Sequence, residues 1–491
     1  MDTRITQHPI LDFPRKNKVP FFFNGRKIYG LQGDTIASAL HANNIKVLSR
    51  SLKYNRARGF FCGIGKCASC LMRVNNVPNV RICITPLTEN INVETQSRGF
   101  GKLPEDDFKE YPLKNIETDI LVVGGGPAGL CAAVESAKLG ADVLVVDEGS
   151  RIGGQLIKQT HKFFGSSDEM AGVRGIEIAK ILEDEVKSLS DKIKILLNST
   201  VIGCYESDTK NRYRFAAVKR LGYENELYEI FCKKAIFSCG AMENMIAFPG
   251  NDLPGVYGAG AVQTLMNVYG VKPGKKVLMV GAGNVGLIVS YQLLQAGVEV
   301  DRVVEALPFI GGYHVHAAKL RRCGVPIYTS CTVSKAHGKD KVEGATVVEL
   351  DKNWCIVKGS EEFVECDTIC LAVGLTPSVR LVAQTGAAIE YIPEAGGYVA
   401  LHNESMETIK NGVFVAGDLS GIEEASTAML EGKIAGISAA TSLGYGDKRV
   451  SEKRKKEFLE KLASLRAGPF GEKPRKAKQN ILRRFSEIKR R

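Results

Sequence analysis

The stretch Ile116–Glu148, IETDILVVGGGPAGLCAAVESAKLGADVLVVDE, decides how most of the chain folds. An apolar run, DILVV, ends in Gly124-x-Gly126-x-x-Gly129 and passes into a helical pattern. In that order the first glycine makes the turn, the second admits a pyrophosphate, and the third lets the helix pack closely on the strand. The helix N-terminus, opened by Pro127 and Ala128, then faces the phosphates. A second apolar run, ADVLVV, ends at Asp147 and Glu148, 23 or 24 residues after Gly124, where a carboxylate would bind an adenosine ribose. Strand, turn, helix and acid are in register, so the stretch reads as a dinucleotide-binding βαβ unit.

A second copy, KKVLMVGAGNVGLIVSYQLLQAGVEVDRVVE, begins at Lys275 and carries Gly281, Gly283 and Gly286, with Glu305 closing its next strand. Ala306 follows with no basic neighbour to hold a 2′-phosphate, so a nicotinamide cofactor here would be NAD rather than NADP. A Rossmann-like insert that has kept its fold without its ligand is the alternative. The glycine loops lie 157 residues apart, which suits one dinucleotide domain inserted in another and not a solenoid of short repeats. Further apolar runs, KAIFSCG (234–240) and DTICLAVG (367–374), alternate with helical segments, as expected of an α/β doubly wound parallel sheet.

Upstream the pattern is different. Residues 19–98 read as short strands and turns, with a hairpin signal at Phe23-Asn24-Gly25-Arg26 and a helix from Asp34 to about Asn44, capped by Asp34 or Thr35. Inside this module Cys62-x4-Cys67-x2-Cys70 has the spacing of a loop that wraps a [2Fe-2S] cluster, with Cys83 as the fourth thiolate. Gly59, Gly63 and Gly65 would let the loop curl, and Arg56 and Arg58 would offset cluster charge. A zinc site, or a module that keeps its thiols without metal, are the alternatives; zinc sites pair C-x2-C knuckles more often. Of the other nine cysteines, Cys131, Cys204, Cys239, Cys323 and Cys370 are expected to act as small core hydrophobes.

The 491 residues carry a formal charge of +12, but residues 448–491 hold 17 Lys or Arg against 5 Asp or Glu, leaving 49 of each sign elsewhere. The body is therefore neutral. No recognised nucleic-acid-binding module or aromatic interleaving pattern accompanies the tail's lysines and arginines, so nucleic acid is not expected. The tail reads as two short solvated helices divided by Gly468, Pro469 and Pro474, with docking on a partner subunit through the apolar positions Phe458, Leu459, Leu462 and Leu465 as the alternative. No run reaches the roughly 18 to 20 apolar residues of a transmembrane helix and the N-terminus lacks a signal-peptide pattern, so a cytoplasmic location is expected.

With Gly153-Gly154-Gln155 after the first acid, Cys239-Gly240 closing a strand, Gly374-x-x-Pro377 and NGVFVAGDLSG containing Gly417-Asp418, residues 118 to about 445 resemble the two-dinucleotide flavoproteins, which include disulfide and ferredoxin reductases. The resemblance implies FAD held by Gly124, Gly126, Pro127, Ala128, Gly129, Asp147, Glu148, Gly154, Gln155, Gly240, Gly417 and Asp418, with a helix over Glu424–Lys433. Gly281, Gly283, Gly286 and Glu305 would hold NAD or, among some relatives, ATP or AMP. No C-x-x-C or C-x4-C pair serves as a redox disulfide; Cys366 and Cys370 read as an in-facing pair. With the RARGFFCGIGKCASCLMRV module in front, the chain resembles the α subunit of heteromeric sarcosine oxidase and its proline or hydroxyproline dehydrogenase, opine oxidase and hydrogen cyanide synthase relatives.

That resemblance implies a β-grasp [2Fe-2S] domain (19–98), a linker (99–117), a discontinuous FAD domain (118–250 and 376–446), an inserted NAD-type domain (251–375) and a basic helical tail (447–491). It also implies a hetero-oligomer in which an FAD-containing β subunit oxidises the small-molecule amine, with FMN at a subunit interface as a further possibility. A self-contained NAD(H)-dependent reductase and a nucleotide-holding structural subunit are the competing expectations. No catalytic acid–base pair or nucleophile stands out, and the two histidines flanking Val315, His314 and His316, read as surface residues. The long folate-binding half of sarcosine oxidase α is missing from the sequence.

Overall fold

Alternating burial in the first strands and a two-residue turn start the architecture. Lys18–Phe23 and Arg26–Leu31 pair antiparallel across Asn24 and Gly25, whose φ angles of 48° and 77° give the twist a tight hairpin needs. The computed structural model describes residues 3–14, 17–96, 112–163, 170–205, 212–221 and 224–490. Most of the expected linker (99–117), residues 99–111, lies outside them. Cα packing divides the chain into two units: Met1–Phe108 with Glu243–Gly374, and Lys109–Met242 with Leu375–Arg491.

In the first unit a five-stranded sheet runs in the order Arg26–Leu31, Lys18–Phe23, Asn92–Glu94, Leu71–Val74, Val77–Arg81. Lys18–Phe23 lies parallel to Asn92–Glu94, the β-grasp arrangement. The helix Ile36–Ala42 starts at Thr35, whose hydroxyl accepts from the Ser38 N–H while Ser38 Oγ accepts from the Thr35 N–H. A second sheet of this unit is wholly parallel: Val256–Gly258, Thr368–Leu371, Lys276–Val280, Glu299–Glu305, Ile327–Thr329. Both sheets share one core, in which Phe21, Leu40, Met72 and Ile82 meet Tyr257, Leu265, Met266 and Met279. The Gly258 N–H donates to the Phe61 carbonyl at 3.1 Å, and a Cβ on Gly59 would stand 2.8 Å from Pro254 Cα. The cysteine-bearing module is thus packed onto the second glycine-loop sheet and not strung before it.

His41 fills the centre of that core. Its ring centroid is 5.2 Å from Phe60 and 6.0 Å from Tyr257, and Nδ1 donates to the Ala37 carbonyl at 2.9 Å while Nε2 is buried without a partner. Burial pushes its pKa down to about 4. The folded state therefore keeps the imidazole neutral, whereas the unfolded chain protonates it near its ordinary value of 6.5. This contribution to stability is complete above that value and lost as pH falls toward 4. Denaturant titrations should show a loss of about 2 kcal/mol from this group between about pH 7.5 and 5, absent in His41→Leu.

The second unit is built on a seven-stranded sheet. Ile193–Leu196, Val143–Val146, Leu113–Val123 and Glu224–Phe237 run parallel, and Val413–Val415 also pairs parallel with the last of these. These parallel strands are those expected of the doubly wound fold, and two further strands extend the sheet. Tyr213–Leu221 and Ser199–Tyr205 continue the sheet antiparallel. The long strand shows why: Tyr228, Ile230 and Cys232 are buried alternately beside the antiparallel partners, whereas Ala235, Ile236 and Phe237 are buried in succession between parallel strands. Helix Pro127–Lys138 packs against Ala425–Ser442 at glycine distance, since a Cβ on Gly432 or Gly436 would meet the Ala128 or Ala132 carbonyl at 2.0 or 2.3 Å.

The basic tail forms two full helices, Lys448–Leu465 and Glu472–Arg490, with Pro474 tolerated in the first turn of the second. The tail's apolar face, expected to be solvated or docked on a partner, is covered by this same unit. Phe458 and Leu462 enter the core with Leu130 and Ile434, and Ala477, Ile481 and Phe485 pack on Ile392, Val399 and Leu401. Ile481 is fully buried. Ile481→Ala should therefore cost about 2–5 kcal/mol in denaturant unfolding, and Lys456→Ala on the exposed face less than about 0.5 kcal/mol. Among the described residues no helix is long and apolar enough to cross a membrane.

Candidate functional site: a four-thiol loop and two nucleotide cradles

The cysteine loop is held open for its thiols by left-handed backbone at Gly63, Gly65 and Ala68. Cys62, Cys70 and Cys83 are buried and Cys67 is half-buried. Their sulfurs meet in a string in the order Cys67, Cys62, Cys83, Cys70, in which Cys62 accepts from both of its neighbours. Hydrogen bonds from Cys67 and Cys83 hold the Cys62 thiol far below its ordinary pKa, against burial; bonds to Cys62 and Cys70, with burial, push Cys83 well above it. The Ile64 and Ser69 N–H groups each point at a sulfur, Cys62 and Cys67, at 3.5 Å. Among the described residues no three His, Cys, Asp or Glu side chains converge on a single-ion position. Two irons take thiolates two by two, and Cys62 with Cys67 and Cys70 with Cys83 stand as two such pairs. The donor set fits a [2Fe-2S] cluster. Arg56 and Arg58 are otherwise engaged, reaching Asp252 at 3.4 and 3.9 Å.

The two glycine loops, one in each unit, repeat the same hydrogen bonds. In the first, Asp147 Oδ2 accepts from the Gly125 N–H at 2.6 Å and Oδ1 from the Gly149 N–H at 2.6 Å. In the second, Glu305 Oε2 accepts from the Ala282 N–H at 2.7 Å and Oε1 from the Leu307 N–H at 3.0 Å. The Asp147 carboxylate is thus tied into the first loop, and the carbonyl of its neighbour Glu148 accepts from Arg220. A Cβ on Gly129 would lie 1.9 Å from the Gly124 carbonyl, and one on Gly286 2.0 Å from that of Gly281. The Gly153 N–H bonds back to the Gly125 carbonyl at 2.8 Å and the Gly312 N–H to that of Ala282 at 2.9 Å. Gly311-Gly312 was not singled out in the sequence, although it follows Glu305 at the spacing by which Gly153-Gly154 follows Asp147.

Around the first loop the structure gathers most of the remaining FAD candidates. A Cβ on Gly154 would stand 2.7 Å from Gly126 Cα, and one on Gly417 3.0 Å from the Ala128 side chain. Ser238, two residues before Gly240, donates to the Gly124 carbonyl at 2.8 Å. Gln155 is exposed in the turn Gly154–Lys158. Asp418 is enclosed in the turn Gly417–Ser420, and burial pushes its pKa up to about 7. Here the cradle of glycines, the tied carboxylate and the helix N-terminus fit a dinucleotide such as FAD. Removing the carboxylate should weaken FAD: Asp147→Ala is expected to raise its Kd by about 10–100-fold, read by flavin fluorescence titration.

Two expectations fail against the structure. His316 is buried, with His314 alone exposed, and Cys323 lies exposed at the C-cap of helix His314–Arg322. Cys204 and Cys239, by contrast, are partly buried and pack against the core of the second unit. Cys366 and Cys370 are buried as expected, and burial raises both thiols.

Residues 118–432 match the family model described as pyridine nucleotide-disulphide oxidoreductase. The chain belongs to that family. Residues 16–98 of this oxidoreductase match the 2Fe-2S iron-sulfur cluster binding domain, so its cofactors are FAD and a [2Fe-2S] cluster. The oxidoreductase is 27% identical to the sarcosine oxidase subunit alpha of Rhizobium meliloti (strain 1021) over 91% of this chain and 46% of that protein. It spans about half the length of such relatives. It is also 27% identical to the hydrogen cyanide synthase subunit HcnB of Pseudomonas protegens over 70% of this chain and 75% of the relative. Among solved structures it resembles L-proline dehydrogenase from P. horikoshii, with a TM-score of 0.67 and 24% identity over 92% of this chain and 79% of that one, a likeness of fold.

Proposed function

We propose that this chain is the electron-transferring flavoprotein and iron–sulfur subunit of a multi-subunit amine or amino-acid dehydrogenase or oxidase. A secondary amine such as proline, hydroxyproline, sarcosine or an opine is oxidised in a partner chain with its own FAD. The observation carrying this reading is that one chain combines a dinucleotide cradle with a loop that brings four free thiols together. Bound FAD would take up electrons in pairs and release them one at a time to the cluster, so together they would connect a two-electron oxidation to a one-electron acceptor. In this reading Gly124–Gly129, Asp147, Gly154 and the Gly417-Asp418 turn hold FAD, and Cys62, Cys67, Cys70 and Cys83 hold the cluster. The free thiols suit the reducing cytoplasm.

A second reading, a self-contained NAD(H)-dependent reductase, draws support from Glu305, tied to the Ala282 N–H as Asp147 is to Gly125. Anaerobic spectroscopy separates the two. Under the subunit reading NADH leaves the flavin and cluster of the isolated chain oxidised, while a secondary amine bleaches both in the native complex. Rapid bleaching by NADH alone, with no partner copurifying, would sink the subunit reading and leave the reductase.

A further inference from the structure

The tail helices do more than cover apolar surface, because each delivers one cation to the same buried carboxylate. Glu431, on helix Ala425–Ser442, is 2% exposed. Its Oε1 pairs with Arg466 Nη2 at 2.6 Å and with Lys478 Nζ at 2.6 Å. Its Oε2 accepts from the Gly417 N–H at 3.0 Å and from Ser420 Oγ at 2.7 Å, the two ends of the turn that carries Asp418. Lys478 Nζ also donates to the Ser420 carbonyl and hydroxyl at 2.8 Å each, and Arg466 forks onto Glu423 at 2.8 and 2.9 Å. Two carboxylates are thereby balanced by two cations, both from beyond the residues 118–432 that the family model matches. Without those cations an ionised Glu431 would press negative charge against a turn that has to accept an anionic dinucleotide.

We infer that Arg466 and Lys478 are positioning residues for FAD: through Glu431 they fix the Gly417–Ser420 turn, so that tail docking and flavin retention are coupled. The inference rests on the reading that this turn belongs to the FAD site. Coupling is reciprocal, so FAD must also hold the tail down.

The test uses the full-length holoprotein. Lys478→Met is expected to release FAD at least about tenfold faster on dilution and to shift the visible flavin band, with Lys478→Arg restoring much of the loss. Lys456→Met, on the exposed face of the tail, should change neither. In wild type, limited proteolysis between the tail helices should slow when FAD is bound, a readout that needs no variant to fold. Flavin release and spectrum unchanged in folded Lys478→Met, or tail cleavage indifferent to FAD, overturns the inference. Asp418→Asn distinguishes the underlying reading: if it leaves FAD affinity untouched, the turn is not part of the flavin site; if it weakens FAD while Lys478→Met does not, only the clamp fails.

Discussion

Cys62→Ser is expected to yield protein without its iron–sulfur cluster: iron and acid-labile sulfide fall to background and the cluster's visible absorption disappears, while FAD content stays at the wild-type level. Cys62 sits inside the string of sulfurs, bonded to both Cys67 and Cys83, so its loss breaks both halves of the ligand set. A serine hydroxyl is a hard and weakly acidic replacement for a thiolate. The damage extends into packing, because Phe61 and Cys62 belong to a core with Phe248, Val256, Leu278 and Ile369. Cluster binding is therefore linked to the stability of the first unit, and the variant should melt earlier than wild type. Cys323→Ser, at an exposed helix end, should change neither metal content nor melting. Wild-type iron and sulfide in Cys62→Ser would refute the ligand assignment and leave the flavoprotein fold standing.

Local chemistry made much of this legible in sequence. The glycine spacing, the strand-ending acids, the Asn24-Gly25 hairpin and the Thr35 cap each involve residues within about 25 positions of one another, where backbone geometry dictates residue type. Glu431 could not be read that way. Its partners Arg466 and Lys478 lie 35 and 47 positions on, and a lysine in a basic tail looks the same whether it meets water or a buried carboxylate. His316 was misread because two histidines flanking a valine suggest one exposed strip, whereas on a helix Tyr313 and His316 share a face and turn inward as His314 turns out. The antiparallel strands escaped for another reason: the polar half of Glu224–Phe237 alternates in burial, a weaker signal than the continuous apolar run that ends it. In the tail, composition shows an amphipathic face but does not say whether water, another chain or the rest of this one meets it.

The paired glycines offer the most discriminating pair of variants. Gly129→Ala should weaken FAD by at least about a hundredfold, about 2.8 kcal/mol, so that the protein purifies nearly colourless in the flavin band. The added Cβ would stand 1.9 Å from the Gly124 carbonyl and 2.5 Å from Ser238 Oγ, so the helix must move off the loop that presents its N–H groups to the pyrophosphate. Gly286→Ala imposes the same displacement at the second loop, 2.0 Å from the Gly281 carbonyl. It should leave FAD and cluster in place while abolishing whatever the second cradle binds, measured by titrating NADH, ATP and AMP into each variant. The nucleotide whose binding vanishes in Gly286→Ala and survives in Gly129→Ala is the occupant of that cradle. Loss of NADH reduction with it would favour the reductase reading, whereas loss of ATP or AMP binding with amine oxidation preserved would make the second cradle a structural nucleotide site. Equal FAD retention in the two variants would contradict the assignment of Gly124–Gly129 to the flavin, because matching geometry at both loops leaves no other reason for the first to matter more.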